Sequence, residues 1–184
     1  MREGFRPARP WDRTPVGERA YFDLLGPGIV AVAAGRDPPA ASTGGWQPPT
    51  GGAWIHLGED GAVTAFTGKV EIGQGTRGAL TRAVALELGV EPRSVRLVMG
   101  DTDLCPWDLG TFGSRSMPDA LPALRVAAAA LRSAVERRPP PEGGAPGLGA
   151  RVRGLRTVVE VPAPTDPSAV PPLPAAPAPR VADD

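Results

Sequence analysis

The chain of 184 residues has one cysteine and one histidine. A single cysteine cannot form an internal disulfide, and one residue of each kind cannot make up a zinc site of the Cys/His type. Net charge is also absent, because 20 Lys and Arg residues balance 20 Asp and Glu residues. Without a basic field, and with four scattered tryptophans that offer no stacking platform, the chain is not expected to bind nucleic acid.

Long apolar runs are missing as well. The first residues include several arginines but lack the uninterrupted apolar segment of a signal peptide. No run approaches the roughly 18 apolar residues of a membrane span. Together with the lack of disulfides, this predicts a protein without a membrane span in a reducing compartment, which we take to be the cytoplasm.

Glycine and proline are abundant, with 24 of each, and their distribution divides the chain. Residues 1–50 are broken by both and are interpreted as an N-terminal arm with one short strand at 29–33. Residues 137–184 carry 12 of the 24 prolines and are predicted to form a disordered, Pro/Ala-rich tail, in which "LRTVVEV" is the single strand candidate. The foldable segment is therefore 51–136.

The segment 51–136 contains alternating and helical patterns in succession. "AWIHLGEDGAVTAFTG" predicts a hairpin with Trp54 and His56 on one face and Ile55 and Leu57 on the other. "TRGALTRAVALELG" predicts a helix that stops at Gly89, followed by a strand at 95–99 and a helix over "MPDALPALRVAAAALRSAVERR". This order predicts an α+β fold: a small mixed sheet, made of a hairpin and a further strand, with two helices on one face.

The first candidate site is the loop "GKVEIGQGTRGAL". Gly73 and Gly75 would let the backbone approach a ligand closely, and a helix starting near Thr76 would direct N–H groups and its positive dipole end toward that ligand. An anion or a polar oxo group would suit this position. Gln74 offers a donor and an acceptor without charge, so it can fix a polar atom without attracting a proton or a metal. The alternative is a glycine-rich turn with an exposed glutamine.

The second candidate site is the loop "GTFGSRS", which lies between a strand and a helix. Hydroxyls, a backbone amide and a guanidinium that could hold a phosphate come from Thr111, Gly113, Ser114, Arg115 and Ser116. Either Ser116 or Asp119 is predicted to cap the helix that follows. The alternative is an ordinary surface loop with a helix cap.

Other polar residues give weaker signals. His56 has no Ser, Cys or carboxylate arrangement that would indicate a catalytic triad, and a structural role is favoured. Cys105 has no neighbour that would lower its pKa. Asp101 and Asp103 lack the additional oxygen ligands of a calcium loop, so no metal site is predicted.

Taken together, the two loops carry a resemblance. The order of "GKVEIGQG", a helix, a strand ending in "MGDTD", the loop "GTFGSRS" and an alanine-rich helix resembles the N-terminal part of the molybdopterin-binding large subunit of the xanthine dehydrogenase and aldehyde oxidoreductase family. It is most similar to the branch with isoquinoline oxidoreductase and nicotinate dehydrogenase, and the lead-in "RPWDRTPVGERAYFDLLGPGIVAV" is similar to that branch as well. The resemblance covers residues 9–132.

The resemblance implies a role for each loop. In that family the glutamine of the GQG motif, here Gln74 between Gly73 and Gly75, donates a hydrogen bond to an oxo ligand of molybdenum. The serine- and glycine-rich loop, here Thr111 with residues 113–116, contacts the pterin or its dinucleotide phosphates. The implied cofactor is molybdenum bound by molybdopterin cytosine dinucleotide. The implied reaction is hydroxylation of aldehydes or N-heterocycles with water as the oxygen source, and electrons leave through an iron–sulfur (2Fe-2S) subunit, in some members onward to a flavin or cytochrome subunit.

The chain also departs from the family pattern. Family subunits continue for several hundred residues and supply a catalytic glutamate near the C-terminus, which neither Glu71 nor Glu87 matches. The chain is therefore expected to be one part of a split subunit, a truncation or a frameshift product, with little or no turnover alone. A second hypothesis is a non-catalytic remnant or interaction protein whose Pro-rich tail binds a grooved partner.

Overall fold

A five-stranded mixed sheet organises the described part of the chain, which in this computed structural model comprises residues 21–34, 52–101, 104–139, 147–161 and 170. The strands are β1 (Gly28–Ala33), β2 (Ala53–Gly58), β3 (Val63–Thr67), β4 (Val95–Met99) and β5 (Arg156–Val161). Their order across the sheet is β4-β3-β2-β1-β5. β2 pairs antiparallel with β1 and β3, whereas β4 and β5 pair parallel with β3 and β1. The predicted mixed α+β fold is confirmed.

Within the described ranges, three helices accompany the sheet: α1 (Tyr21–Leu25), α2 (Thr76–Leu88) and α3 (Ser116–Glu136). Two 3₁₀ turns lie at Pro92–Ser94 and Gly149–Val152. α2 ends as predicted, because Gly89 adopts a left-handed φ of 67° that costs a glycine little. Among the described residues, no helix is both long and apolar enough to cross a membrane.

Helices α2 and α3 cover one face of the sheet, as the order of the elements predicted. Ile55 and Leu57 are fully buried against Leu80 of α2 and Leu124 of α3. The two helices are also joined by a buried ion pair of 3.4 Å between Glu87 and Arg125, and Arg132 donates to the backbone oxygen of Glu87 at 3.2 Å. Glu87 therefore serves helix packing.

The opposite face of the sheet carries the aromatic side chains. Trp54 stacks on Phe66 with ring centroids 3.7 Å apart and an interplanar angle of 3°, and Tyr21 of α1 lies 4.8 Å from the same indole. The indole nitrogen of Trp54 donates to the backbone oxygen of Leu104 at 3.1 Å. Buried Cys105 belongs to this cluster, and burial raises the pKa of its thiol. The segment after β4 is thus fixed to the sheet.

The sheet extends further along the chain than the predicted boundary at residue 136. The strand candidate in the predicted tail forms β5, and the turn before it packs closely, since a Cβ atom at Gly149 would lie 2.4 Å from the backbone nitrogen of Gly61. The Gly154 amide donates to Glu59 at 3.0 Å. The disorder prediction, made on composition averaged over the whole tail, is therefore wrong for 147–161, where β5 is rich in β-branched residues. Of the other residues of the predicted tail, the structure describes only 137–139 and 170. Most of the predicted N-terminal arm also lies outside the described ranges.

His56 is expected to make stability depend on pH. It is 3% exposed, its Nε2 has no hydrogen-bond partner among the described residues, and burial lowers its pKa below 6.5 despite the opposing backbone groups of Gly26 and Pro27. Protons then bind more readily to the unfolded chain, so stability is full above pH 6.5 and falls as the pH drops toward the folded value. Urea unfolding between pH 7.5 and 5.5 should show a loss of no more than about 1.4 kcal/mol per pH unit.

The control for this prediction is His56→Gln, which removes the only histidine of the chain. Its unfolding free energy should vary less with pH over the same interval. Equal pH dependence in the two proteins would show that His56 is not responsible.

Candidate functional site

The two glycine-rich loops meet at one edge of the sheet. β3 and β4 run parallel, so their carboxyl ends lie side by side. The first loop follows β3 directly, and the second lies in the longer connection between β4 and α3. Ligands in open α/β sheets commonly bind outside the carboxyl ends of parallel strands, where such loops converge. The topology therefore brings together the two segments that the sequence singled out separately.

Val70 and Lys69 connect the two loops directly. The Val70 amide donates to Thr111 Oγ1 at 2.8 Å, and Lys69 Nζ donates to the Gly110 oxygen at 2.7 Å. On its other side, the Val70 oxygen accepts a hydrogen bond of 3.0 Å from Gln74 Nε2. The bonds to Thr111 and Gly110 fix the first loop against the second, and Gln74 is bonded to the same Val70.

Beneath the loops lies a buried cluster of charges. Lys69 is 1% exposed and lies 2.8 Å from Asp108 and 3.1 Å from Asp119 of α3. Asp119 also binds the Arg115 guanidinium through two hydrogen bonds of 3.2 and 3.0 Å. A Cβ atom at Gly68 would lie 2.3 Å from Asp108, so glycine is needed for this approach. Two cations and two carboxylates balance in this cluster, which satisfies the requirement for pairing buried charge.

The importance of Lys69 was not predicted. Its acidic partners are far away in the sequence, and nothing in the spacing of Lys69 and Asp119 indicates contact. One feature of the sequence could have drawn attention to Lys69. It is the only lysine in the chain, whereas the other 19 residues of the Lys and Arg total are arginines. A compact ammonium group can accept several oxygen ligands around one point, whereas arginine requires a planar fork.

Gln74 lies exposed at the tip of the first loop. Its Oε1 accepts from the Ile72 amide at 2.7 Å, and its Nε2 uses one hydrogen for Val70, so a second N–H remains for a ligand. The flanking glycines have φ values of 100° at Gly73 and 75° at Gly75. Both values favour glycine, which explains why the glutamine lies between two of them.

Two amides at the start of α2, those of Gly75 and Arg77, are already bound within the loop. Glu71 accepts hydrogen bonds from the Gly73 amide at 2.7 Å, the Gly75 amide at 3.1 Å and the Arg77 amide at 2.9 Å. These bonds, with that from Arg77 the largest cause, lower the pKa of Glu71. For these two amides, the expectation that the helix end directs open N–H groups at a ligand needs correction, because the carboxylate of the same loop accepts their hydrogen bonds.

The second loop presents a different helix start. Gly113 and Ser114 both adopt left-handed φ angles, 59° and 58°, and Ser114 is the only non-glycine residue with positive φ among those described. α3 begins at Ser116 with Arg115 in the cap position and no side-chain cap. The prediction that Ser116 or Asp119 caps α3 is wrong. Two cations, Lys69 and Arg115, bind the Asp119 carboxylate instead.

The structure thus defines an α+β domain with two candidate ligand-binding loops near the ends of parallel strands. One loop has a neutral amide side chain at its tip, and the other has hydroxyl groups before a helix that no side chain caps. The family model described as "Molybdopterin cofactor-binding domain" matches residues 17–140. The chain therefore belongs to this family of molybdopterin cofactor-binding domains, and the predicted resemblance is confirmed.

Several named proteins are similar to part of the chain. A putative xanthine dehydrogenase molybdenum-binding subunit of Escherichia coli (strain K12) is 39% identical over 85 residues, 46% of this chain and 11% of that protein. The carbon monoxide dehydrogenase large chain of Afipia carboxidovorans is 37% identical over 81 residues, 44% and 10% of the two chains. A nicotinate dehydrogenase subunit of Pseudomonas putida is 38% identical over 79 residues, 43% and 7% of the two chains.

One solved structure shows the same partial coverage. It is the reconstituted CO dehydrogenase from Oligotropha carboxidovorans, with 28% identity and a TM-score of 0.48 over 63% of this chain and 15% of that one. The chain spans about a tenth of the length of the curated relatives it matches.

Proposed function

We propose that this chain holds part of a molybdenum–molybdopterin cofactor within an oxidoreductase of the molybdenum hydroxylase type. The observation that carries the proposal is the junction at Val70, which places the Gln74 loop and the Thr111 loop side by side. Each loop alone is a common feature. Their contact in a member of the molybdopterin cofactor-binding domain family is what favours one shared ligand.

The residues present fit such a cofactor. Gln74 retains an N–H group on a neutral side chain, which suits an oxo group and would not compete as a metal ligand. The backbone at residues 113–116, with two left-handed residues before an uncapped α3, suits phosphate or pterin oxygens. We assign the cofactor contacts to Gly73, Gln74, Gly75, Thr111, Gly113, Ser114, Arg115 and Ser116.

The form of the cofactor is proposed to be the molybdopterin cytosine dinucleotide. When bound, it would supply the redox chemistry by which aldehydes or N-heterocycles are hydroxylated with water as the oxygen source. This chain would position that group and would not supply the base. Of the carboxylates considered for the role, Glu71 binds three amides and Glu87 forms a buried ion pair. We therefore expect little or no turnover from the chain alone.

The partners are proposed to be the remaining portion of the molybdenum-binding subunit, a 2Fe-2S subunit and a flavin or cytochrome subunit. The need for the remaining portion of the subunit is supported by the length of this chain, whose match covers only 11% of the first relative. The surface supports it as well, because three large apolar side chains on the two loops are 43%, 75% and 53% exposed: Val70, Ile72 and Phe112. Exposed apolar groups clustered near a site are typical of surfaces that pack against another polypeptide.

Replacing Gln74 by alanine tests the proposal in the assembled enzyme. Turnover should fall about 10–100-fold, as is typical when a hydrogen bond to a metal's ligand is removed. Because Gln74 is exposed and contacts only nearby backbone, the unfolding free energy should change little. The exposed Glu91→Gln variant is the control and should keep normal turnover. Unchanged kinetics in Gln74→Ala would show that the proposed role is wrong.

A further inference from the structure

Glu71 makes hydrogen bonds that have no part in the proposed binding of the cofactor. Its two carboxylate oxygens accept three backbone N–H groups, from Gly73, Gly75 and Arg77, at 2.7–3.1 Å. The first two of these residues flank Gln74 directly. A single side chain thus binds the backbone on both sides of the glutamine.

The conformation of this loop requires such an anchor. Gly73 and Gly75 lose more conformational freedom on ordering than any other residue type, so a loop built on them is costly to hold in one shape. Residues 70–75 are not part of a helix or strand, and in the described part of the chain most of them are exposed. Hydrogen bonds to a charged acceptor are about twice as strong as neutral ones, and here three converge on one carboxylate.

From these contacts we infer that Glu71 is the positioning residue of Gln74: it holds the flanking glycine amides so that the glutamine side chain folds back on Val70 and presents its second N–H. The inference rests on the proposed function of Gln74. The Glu71 carboxylate also offsets the partial positive charge at the start of α2.

The first test needs no cofactor. In NMR spectra of the full chain, the amide shifts of Gly73, Gly75 and Arg77 should titrate together with one midpoint below 4.5, the ordinary value for glutamate. The bonds persist above that midpoint and are lost as the pH falls through it. In Glu71→Gln this common titration should vanish, and exchange of the three amides should accelerate about tenfold or more. Glu91→Gln should leave all three amides unchanged.

The second test uses the assembled, metal-loaded enzyme. Glu71→Gln should lower kcat in the same direction as Gln74→Ala with little effect on KM, and the double variant should be no slower than Gln74→Ala alone, since both changes act through one side chain. Additive losses would contradict a role exerted through Gln74. Normal turnover in Glu71→Gln with a normal defect in Gln74→Ala overturns the positioning role alone. Normal turnover in both overturns the proposed function of Gln74, whatever the NMR result.

Discussion

Replacing Lys69 by methionine is expected to lower the free energy of unfolding by about 3–5 kcal/mol, the range found when one partner of a buried ion pair is removed. Lys69 is 1% exposed and binds Asp108, Asp119 and the Gly110 oxygen. Without the ammonium group, Asp108 is left buried with its nearest cation gone. Chemical denaturation followed by circular dichroism measures the loss.

A second variant separates charge from packing. Asp119 keeps Arg115 as a partner, so Asp108 is the carboxylate that loses its counter-ion. The double variant Lys69→Met with Asp108→Asn should therefore be more stable than Lys69→Met alone. If the double variant is equally unstable, the uncompensated charge is not the cause.

Because Lys69 is the only lysine, amine-reactive labelling of the wild-type chain should modify it only on unfolding.

Replacing Trp54 by alanine is the other change with a large expected effect, a loss of about 3–5 kcal/mol. Trp54 is 2% exposed, stacks on Phe66 and binds the Leu104 oxygen. Its removal leaves a cavity on the aromatic face of the sheet and releases the start of the segment that leads to Asp108. Urea unfolding of the variant measures this loss.

Two further variants serve as controls for Trp54. Trp54→Phe keeps a ring but lacks the indole N–H, so it should lose much less, about 1–3 kcal/mol for the unpaired Leu104 oxygen and the smaller ring. Phe112→Ala removes an aromatic side chain that is 53% exposed, and should change stability by no more than about 0.5 kcal/mol. A loss in Trp54→Ala as small as that in Phe112→Ala would contradict the packing described here.

Local pattern was sufficient to predict most of the secondary structure. The alternation in β2 assigned Trp54 and Ile55 to the correct faces, and Gly89 marked the end of α2 where the structure has it. These features depend on neighbours within one strand or one helical turn, which a sequence displays directly. β5 was recognised as a strand candidate, but its place in the sheet depends on pairing with distant β1 and on the close approach of Gly149 to Gly61.

The candidate site shows the same division between local and distant contacts. The sequence attributed the glycines around Gln74 to close approach of a ligand, whereas the structure shows that both have positive φ angles that favour glycine. The hydrogen bonds that Glu71 accepts at the start of α2 are also local. A glutamate before a glycine-rich turn can accept hydrogen bonds from many different donors, however, and the sequence alone does not show which. The Lys69 cluster and the competition for Asp119 depend on the fold, because the parallel β3 and β4 bring the two loops together.

Molybdenum and cytosine nucleotide content, measured by mass spectrometry, tests the central claim most directly. The chain should be purified alone and together with any subunit encoded beside it, and Gln74→Ala and Glu91→Gln should be purified in the same way. Our account predicts that molybdenum and the nucleotide are bound in the complex, with Glu91→Gln as fully loaded as the wild type. Absence of both from the chain alone and from the complex would contradict it, and would favour a non-catalytic remnant or interaction protein.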